Sequence, residues 1–199
     1  FSTPELMRLY KAHVLSYIES GIPGYFHAAP SVLACVDRVQ RRFLRELGLS
    51  EEDALIHFRL APLKARRYMA ILGFLHRVSL GQVSGQIAKL FPRGVRSTSA
   101  VYIGDRVRGV AARHNKQLVD RVHAYSTEQF KRSIFGMVRC YNALPQDVVD
   151  EKSVKSLQRR LQLSLLERAR AGYEGWQDVF SDGLRYQSLL RFQAFFRHR

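Results

Sequence analysis

The chain has 199 residues, 46% of them apolar, and 32 Lys+Arg against 17 Asp+Glu leave a formal charge of +15. That apolar content closes one or two ordinary cores and excludes a disordered tail. The positive excess repels itself unless an anionic partner offsets it, nucleic acid first and an acidic membrane surface second. The longest run free of Asp, Glu, Lys and Arg, residues 20 to 36, contains Gly21, Pro23, Gly24 and Pro30, which interrupt any spanning helix, so no transmembrane segment is expected, and the partner expected is nucleic acid and not a membrane.

Ser2-Thr3-Pro4-Glu5 has the S-x-x-E spacing of a capping box, and Leu6, Tyr10, Val14, Tyr17 and Ile18 follow at helical spacing, which predicts a first helix over 4–19. Gly21-Ile22-Pro23-Gly24 ends it. A second helix is expected from Pro30 to Gly48. Ser50 and Asp53 form a capping-box-like start for a short helix through His57, and Pro62 opens a longer one that runs to Gly81, with a turn or two more over 83–90. Residues 91–116, punctuated by Pro92, Gly94, Gly104 and Gly109, read as a basic loop with a short strand at Val101 to Ile103. Leu118 to Tyr125 alternates as a strand would. Thr127 caps a helix that closes before Pro145, Ser153 caps another with Val154, Leu157, Leu161 and Leu165 as its stripe, and the aromatic, basic tail 184–196 is expected to be helical.

The stretch RVQRRFLREL, residues 38–47, concentrates the charge. At about 100° per residue, Val32, Val36, Val39, Phe43 and Leu47 fall on one side and Arg38, Arg41, Arg42 and Arg45 on the other. Asp37 to Arg41 and Arg42 to Glu46 have i,i+4 spacing, and such pairs are weak enough to open for phosphate. Lys64, Arg66 and Arg67 repeat the basic theme on a later helix, and the seven together are the candidate nucleic-acid contacts.

Catalytic signatures are sparse. No two aspartates adjoin, and there is no glycine-rich phosphate loop, no GxSxG and no HExxH. Asp53 and His57, one turn apart, read as a surface contact before a metal pair. Asp147, Glu151 and Lys152 have nuclease-like composition but fall in a loop leading to a helix. Cys35 and Cys140 lack CxxC spacing and read as core thiols in a reducing, intracellular setting, nuclear or cytoplasmic. Trp176, Tyr186, Phe192, Phe195 and Phe196 read as packing aromatics before base-stacking ones. The chain opens at Phe1 without a charged-then-apolar leader, and a fragment of something longer is expected.

Five segments, LMRLYKAHVLSYIESGIPGYF, LACVDRVQRRFLRELG, FRLAPLKARRYMAILGFLHRV, FKRSIFGMVRCYNALPQDVV and SVKSLQRRL, taken in order over residues 6 to 165, resemble the C-terminal part of non-LTR retrotransposon reverse transcriptases, from the thumb onward. DRVQRRF and YNALPQDVV are the most specific pieces; Tyr141 stands where that family usually has tryptophan. The resemblance implies a helical thumb that holds RNA or DNA template and primer beside an upstream palm and fingers, in an RNA-directed DNA polymerase that uses Mg²⁺. Catalytic aspartates would lie in that palm, so this chain is expected to hold neither catalytic residues nor a cofactor.

The reading is therefore a mostly α-helical protein with at most one or two short strands. A thumb-like bundle is expected over 1–90, a basic loop over 91–125 and a smaller helical unit over 126–199. Its rivals are a helical protein-interaction module and a decayed element remnant without nucleic-acid binding.

Overall fold

The computed structural model describes residues 1–94, 99–103, 106–110, 114–122 and 126–182. The chain is mostly helical. α1 (Thr3–Leu9) continues through a π-helical turn (Tyr10–Leu15) into α2 (Ser16–Ser20), and α3 (Ile22–Tyr25) is a single turn. α4 (Pro30–Glu46), α5 (Glu51–Phe58), α6 (Leu63–Ser79) and α7 (Gly85–Leu90) complete the first half. After a hairpin come α8 (Glu128–Arg132), α9 (Ile134–Asn142), α10 (Gln146–Val149) and α11 (Val154–Arg170). A 3₁₀ turn (Trp176–Asp178) then leads to α12 (Val179–Asp182).

Helix starts follow their capping chemistry. The Ser2 amide donates to Glu5 Oε2 at 2.7 Å, and the Asp53, Phe130 and Ser156 amides donate to the hydroxyls of Ser50, Thr127 and Ser153 at 3.0, 3.3 and 3.0 Å. Each satisfies a donor that the first turn leaves orphaned.

In the middle of the chain one expected strand is present and one is corrected. The strand at Val101 to Ile103 is part of a hairpin, β1 (Ser99–Ile103) antiparallel to β2 (Arg106–Val110), in register from Ser99 opposite Val110 to Ile103 opposite Arg106. No strand forms from Leu118 to Val122, the described part of the expected 118–125 strand; Leu118 makes one isolated bridge to Arg93. The backbone there is held by a side chain instead: the Leu118 amide donates to Asn142 Oδ1 at 2.9 Å, and Asn142 Nδ2 donates to the Leu118 carbonyl at 2.7 Å. The expected tail helix, 184–196, lies outside the described residues.

A large core unites residues from Ile22 to Phe180, and α6 is its axis, packed on α9, α11 and α12. It thus crosses the boundary expected at residue 90, because the inner faces of α6 and α11 are each other's cover. Leu157, Leu161 and Leu165 are fully buried on α11, and each contributes about 2 kcal/mol by leaving water. α6 and α11 approach closely at Gly73, where a Cβ would sit 2.7 Å from Gln158 Nε2 and 3.0 Å from Val154 Cγ1. A smaller cluster, with Met7, Tyr10, Leu15, Leu44, Ala54, Leu60 and Leu63 at its centre, ties the first helices to α4 and α5. Tyr10 stacks on Phe43 there, ring centroids 4.2 Å apart.

Trp176 is buried, consistent with packing. Cys140 is buried as expected, and burial pushes its thiol up to about 12, so it stays protonated. Cys35 is exposed, a correction: it lies on the outward side of α4, one turn before Arg38 and Val39.

Candidate nucleic-acid interface

α4 begins at Pro30, whose missing N–H costs nothing in a first turn, and it ends where Gly48 adopts φ +65°. Its inner face differs from the expected valine seam. Gln40 and Leu44 are buried and Leu33, Val36, Asp37, Phe43 and Leu47 are half-buried, whereas Val32 and Val39 are 51% and 45% exposed. The helix is rotated because two inward positions serve polar partners. Gln40 Nε2 donates to the Ala61 carbonyl at 3.1 Å, and Asp37 receives both guanidinium nitrogens of Arg67.

That rotation leaves Arg38, Arg41, Arg42 and Arg45 exposed, within a sector of about 100° and along about 10 Å of helix axis. Duplex DNA presents one charge per roughly 1.7 Å of axis, about six over the same length, so the charge densities are comparable. The expected pairs of Asp37 with Arg41 and Arg42 with Glu46 are not made. Asp37 is taken by Arg67, and among the described residues none of these four arginines forms a salt bridge. Arg38 donates to the exposed Cys35 sulfur. Arg41 lies near enough to Glu51 to lower that carboxyl's pKa, but burial is the larger influence and pushes it up overall.

The three cations on α6 are placed differently. Lys64 Nζ donates to Asp178 Oδ1 at 2.6 Å, Arg66 is paired with Glu19, and Arg67 is bidentate on Asp37, one bond of 2.9 Å, with its side chain only 4% exposed. These pairs tie α6 to the 3₁₀ turn, to α2 and to α4. The seven sequence candidates therefore form two groups, four arginines facing outward and three cations committed to carboxylates.

The remaining chemistry is inward. His76, at 0% exposure, has Nε2 2.8 Å from the Glu151 carbonyl, which can only accept, so Nε2 carries the proton and Nδ1 receives Tyr141 OH at 3.0 Å. Ser79 Oγ stands 2.7 Å from the same hydroxyl, which burial raises to about 12. His114 is buried beside them, its Nε2 donating to the Tyr141 carbonyl at 3.1 Å while Nδ1 accepts the Lys116 amide at 3.1 Å. Burial is the main cause that lowers both histidine pKa values. The phenol gives its one proton to His76 Nδ1 and keeps oxygen lone pairs, which a donor-only indole lacks; Ser79 Oγ donates to the His76 carbonyl at 2.8 Å. These residues are scattered over 76 to 151 and no local spacing signals the cluster.

Asp53 serves as a cap: Ser50 Oγ donates to it at 2.6 Å, and that bond leads in lowering its pKa. Asp147 accepts from Arg160 at 3.1 Å, and Glu151 offers His76 its backbone carbonyl. Among the described residues no three His, Cys, Asp or Glu side chains stand close enough to hold a metal, and no helix is long and apolar enough to cross a membrane. No protein-family model, no curated protein and no solved structure matches the chain.

Proposed function

We propose that this chain binds nucleic acid through the outer face of α4, as the non-catalytic thumb and following region of a retrotransposon RNA-directed DNA polymerase. The observation that carries the reading is the exposed set of Arg38, Arg41, Arg42 and Arg45 on one helix face, none of them in a salt bridge among the described residues. Guanidinium forks suit phosphate oxygens, and their engagement releases condensed counterions. Such contacts hold a strand without reading its sequence. The motif resemblance supports the finer part of the proposal, template and primer as ligand and a polymerase palm and fingers as neighbour.

The test is fluorescence anisotropy with a single strand, a duplex and an RNA–DNA hybrid across a salt series. Four phosphate contacts give a slope of log affinity on log salt of about −3, and replacing the four arginines with glutamine removes it. A slope unchanged by that replacement overturns the proposal. The rival, docking on a protein, finds support in Val32 and Val39, half-exposed on the same helix. A complex with the upstream polymerase that persists at high salt would favour it.

A further inference from the structure

Four phenylalanines from separate segments line up across the two halves of the chain. Phe74 of α6 meets Phe91 edge-on at 6.0 Å. Phe91 stacks on Phe135 at 5.0 Å and 19°, and Phe135 stacks on Phe130 at 5.1 Å and 21°. From Phe91, which is buried, the series runs outward to Phe135 and Phe130, both half-buried. Its last two rings line an open cleft of about 320 Å³ together with His27, Thr127, Gln129 and Ser133. Phe130 stacks on Phe135 and also lines the cleft, which brings an aromatic ring to a space open to solvent.

The rim chemistry narrows what that ring is. Thr127 Oγ1 accepts the Phe130 amide at 3.3 Å, and Ser133 Oγ donates to the Phe130 carbonyl at 2.6 Å, so these two hold the ring's backbone in place. His27 and Gln129 are exposed and make no side-chain hydrogen bond among the described residues. An imidazole and a carboxamide together offer donors and acceptors on a polar edge, beside an aromatic face. The cleft volume falls in the range of roughly 300–1,000 Å³ typical of small-ligand sites.

We infer that this cleft receives an unpaired nucleobase, stacked on Phe130 and bonded at its edge by Gln129 and His27. The inference rests on the nucleic-acid reading and deepens it: the α4 arginines hold the strand's phosphates, and the phenylalanine stack holds a base. An amide and an imidazole each present both kinds of group, so the site tolerates any base, as stacking platforms for single strands do.

The experiment compares a labelled 12-residue thymidylate strand with an abasic strand of the same length and charge. The full chain is expected to bind the base-bearing strand about ten-fold more tightly, within the range of one stacked base. Phe130→Leu, which keeps apolar volume without a planar face, should bring the two affinities together while leaving the salt slope as it was; circular dichroism checks that it folds. Gln129→Ala, at an exposed position, should narrow the gap without a burden on packing. Equal affinity for both strands in the unaltered chain overturns the stacking site and leaves the α4 ridge standing. A base preference that survives neutralisation of α4, with no change in slope, does the reverse. Ultraviolet crosslinking of a 5-iodouracil strand to the unaltered chain needs no variant: attachment within residues 127–135 supports the site, and attachment confined elsewhere overturns it.

Discussion

α4 and α6 are both 17-residue helices with clustered basic residues, yet they spend that charge in opposite ways. On α6, Lys64, Arg66 and Arg67 close ion pairs with Asp178, Glu19 and Asp37. On α4, Arg38, Arg41, Arg42 and Arg45 face water. Asp37 itself sits on α4 but turns inward, so the carboxylate at i,i+4 spacing from Arg41 holds Arg67 instead. A count of basic residues thus measures attraction to polyanions only after the internal carboxylates have been assigned. The two helices divide their charge: one set of cations orders the fold, the other faces water, where the proposed ligand would meet it.

The strongest way to break this division is Asp37→Ala. It strands the Arg67 guanidinium, 4% exposed, without a counter-charge, and loss of one partner from a buried pair costs about 3–5 kcal/mol. Urea denaturation should show that loss. Arg67→Met, which removes the charge while keeping a long apolar stem, should cost less than Asp37→Ala. Equal costs would mean that packing, rather than the uncompensated charge, dominates.

Acid is expected to act next, and on the core rather than the ridge. His76 and His114 have pKa values lowered in the folded chain, chiefly by burial. As pH falls through about 6.5, unfolded histidine takes up protons that the folded residues resist, so stability declines on acidification. For His114 the geometry adds a reason: its Nδ1 accepts the Lys116 amide, which cannot turn round to become an acceptor. The Tyr141 carbonyl that accepts from Nε2 is the largest influence against this lowering, Lys116 adds to the lowering, and Asp150 opposes it. Melting temperature should fall between pH 7.5 and 5.5, and His114→Gln should flatten the profile. The proposed ridge on α4 lies apart from these histidines, so oligonucleotide affinity of the folded chain should not follow that decline.

These inward features explain which parts of the molecule could be read in advance. Helix starts at Ser2, Ser50, Thr127 and Ser153 were legible because a cap is a local device, but the helix expected to run unbroken from Thr127 to before Pro145 is interrupted at Ser133, whose extended backbone ends α8 and caps α9. The outward arginines were legible because a 3.6-residue period keeps their sector together even when the helix rotates. The rotation itself was not: a buried Gln40 bonded to Ala61 and an Asp37 turned toward Arg67 depend on elements 21 and 30 residues away. That rotation exposes Val32, Val39 and Cys35, all of which local patterning places inside. Leu118 fails as a strand for a similar reason, its backbone being satisfied by the Asn142 amide, 24 residues on. The phenylalanine stack draws on residues 74 to 135, and no window of ordinary length contains it.

A weaker break in the division comes at Glu19 and Asp178. Glu19→Gln should cost about 1 kcal/mol or less, because the pair with Arg66 is half-exposed. Asp178→Asn should cost still less, since both members of its pair with Lys64 are exposed to about half. Each releases a cation, and if α6 lies along the bound strand, oligonucleotide affinity rises. An unchanged affinity places the ligand on α4 alone.

The smallest effects on stability belong to single substitutions on α4. Arg38→Gln, Arg41→Gln, Arg42→Gln and Arg45→Gln each remove an exposed charge that forms no salt bridge among the described residues, so denaturation should shift by no more than about 0.5 kcal/mol. Binding is where they should speak, each lowering the salt slope by roughly 0.7 to 0.9. Near-equal decrements are the mark of a ridge that meets successive phosphates. A decrement concentrated in one arginine would describe a point contact, and the similarity in charge density between α4 and a duplex would then be incidental.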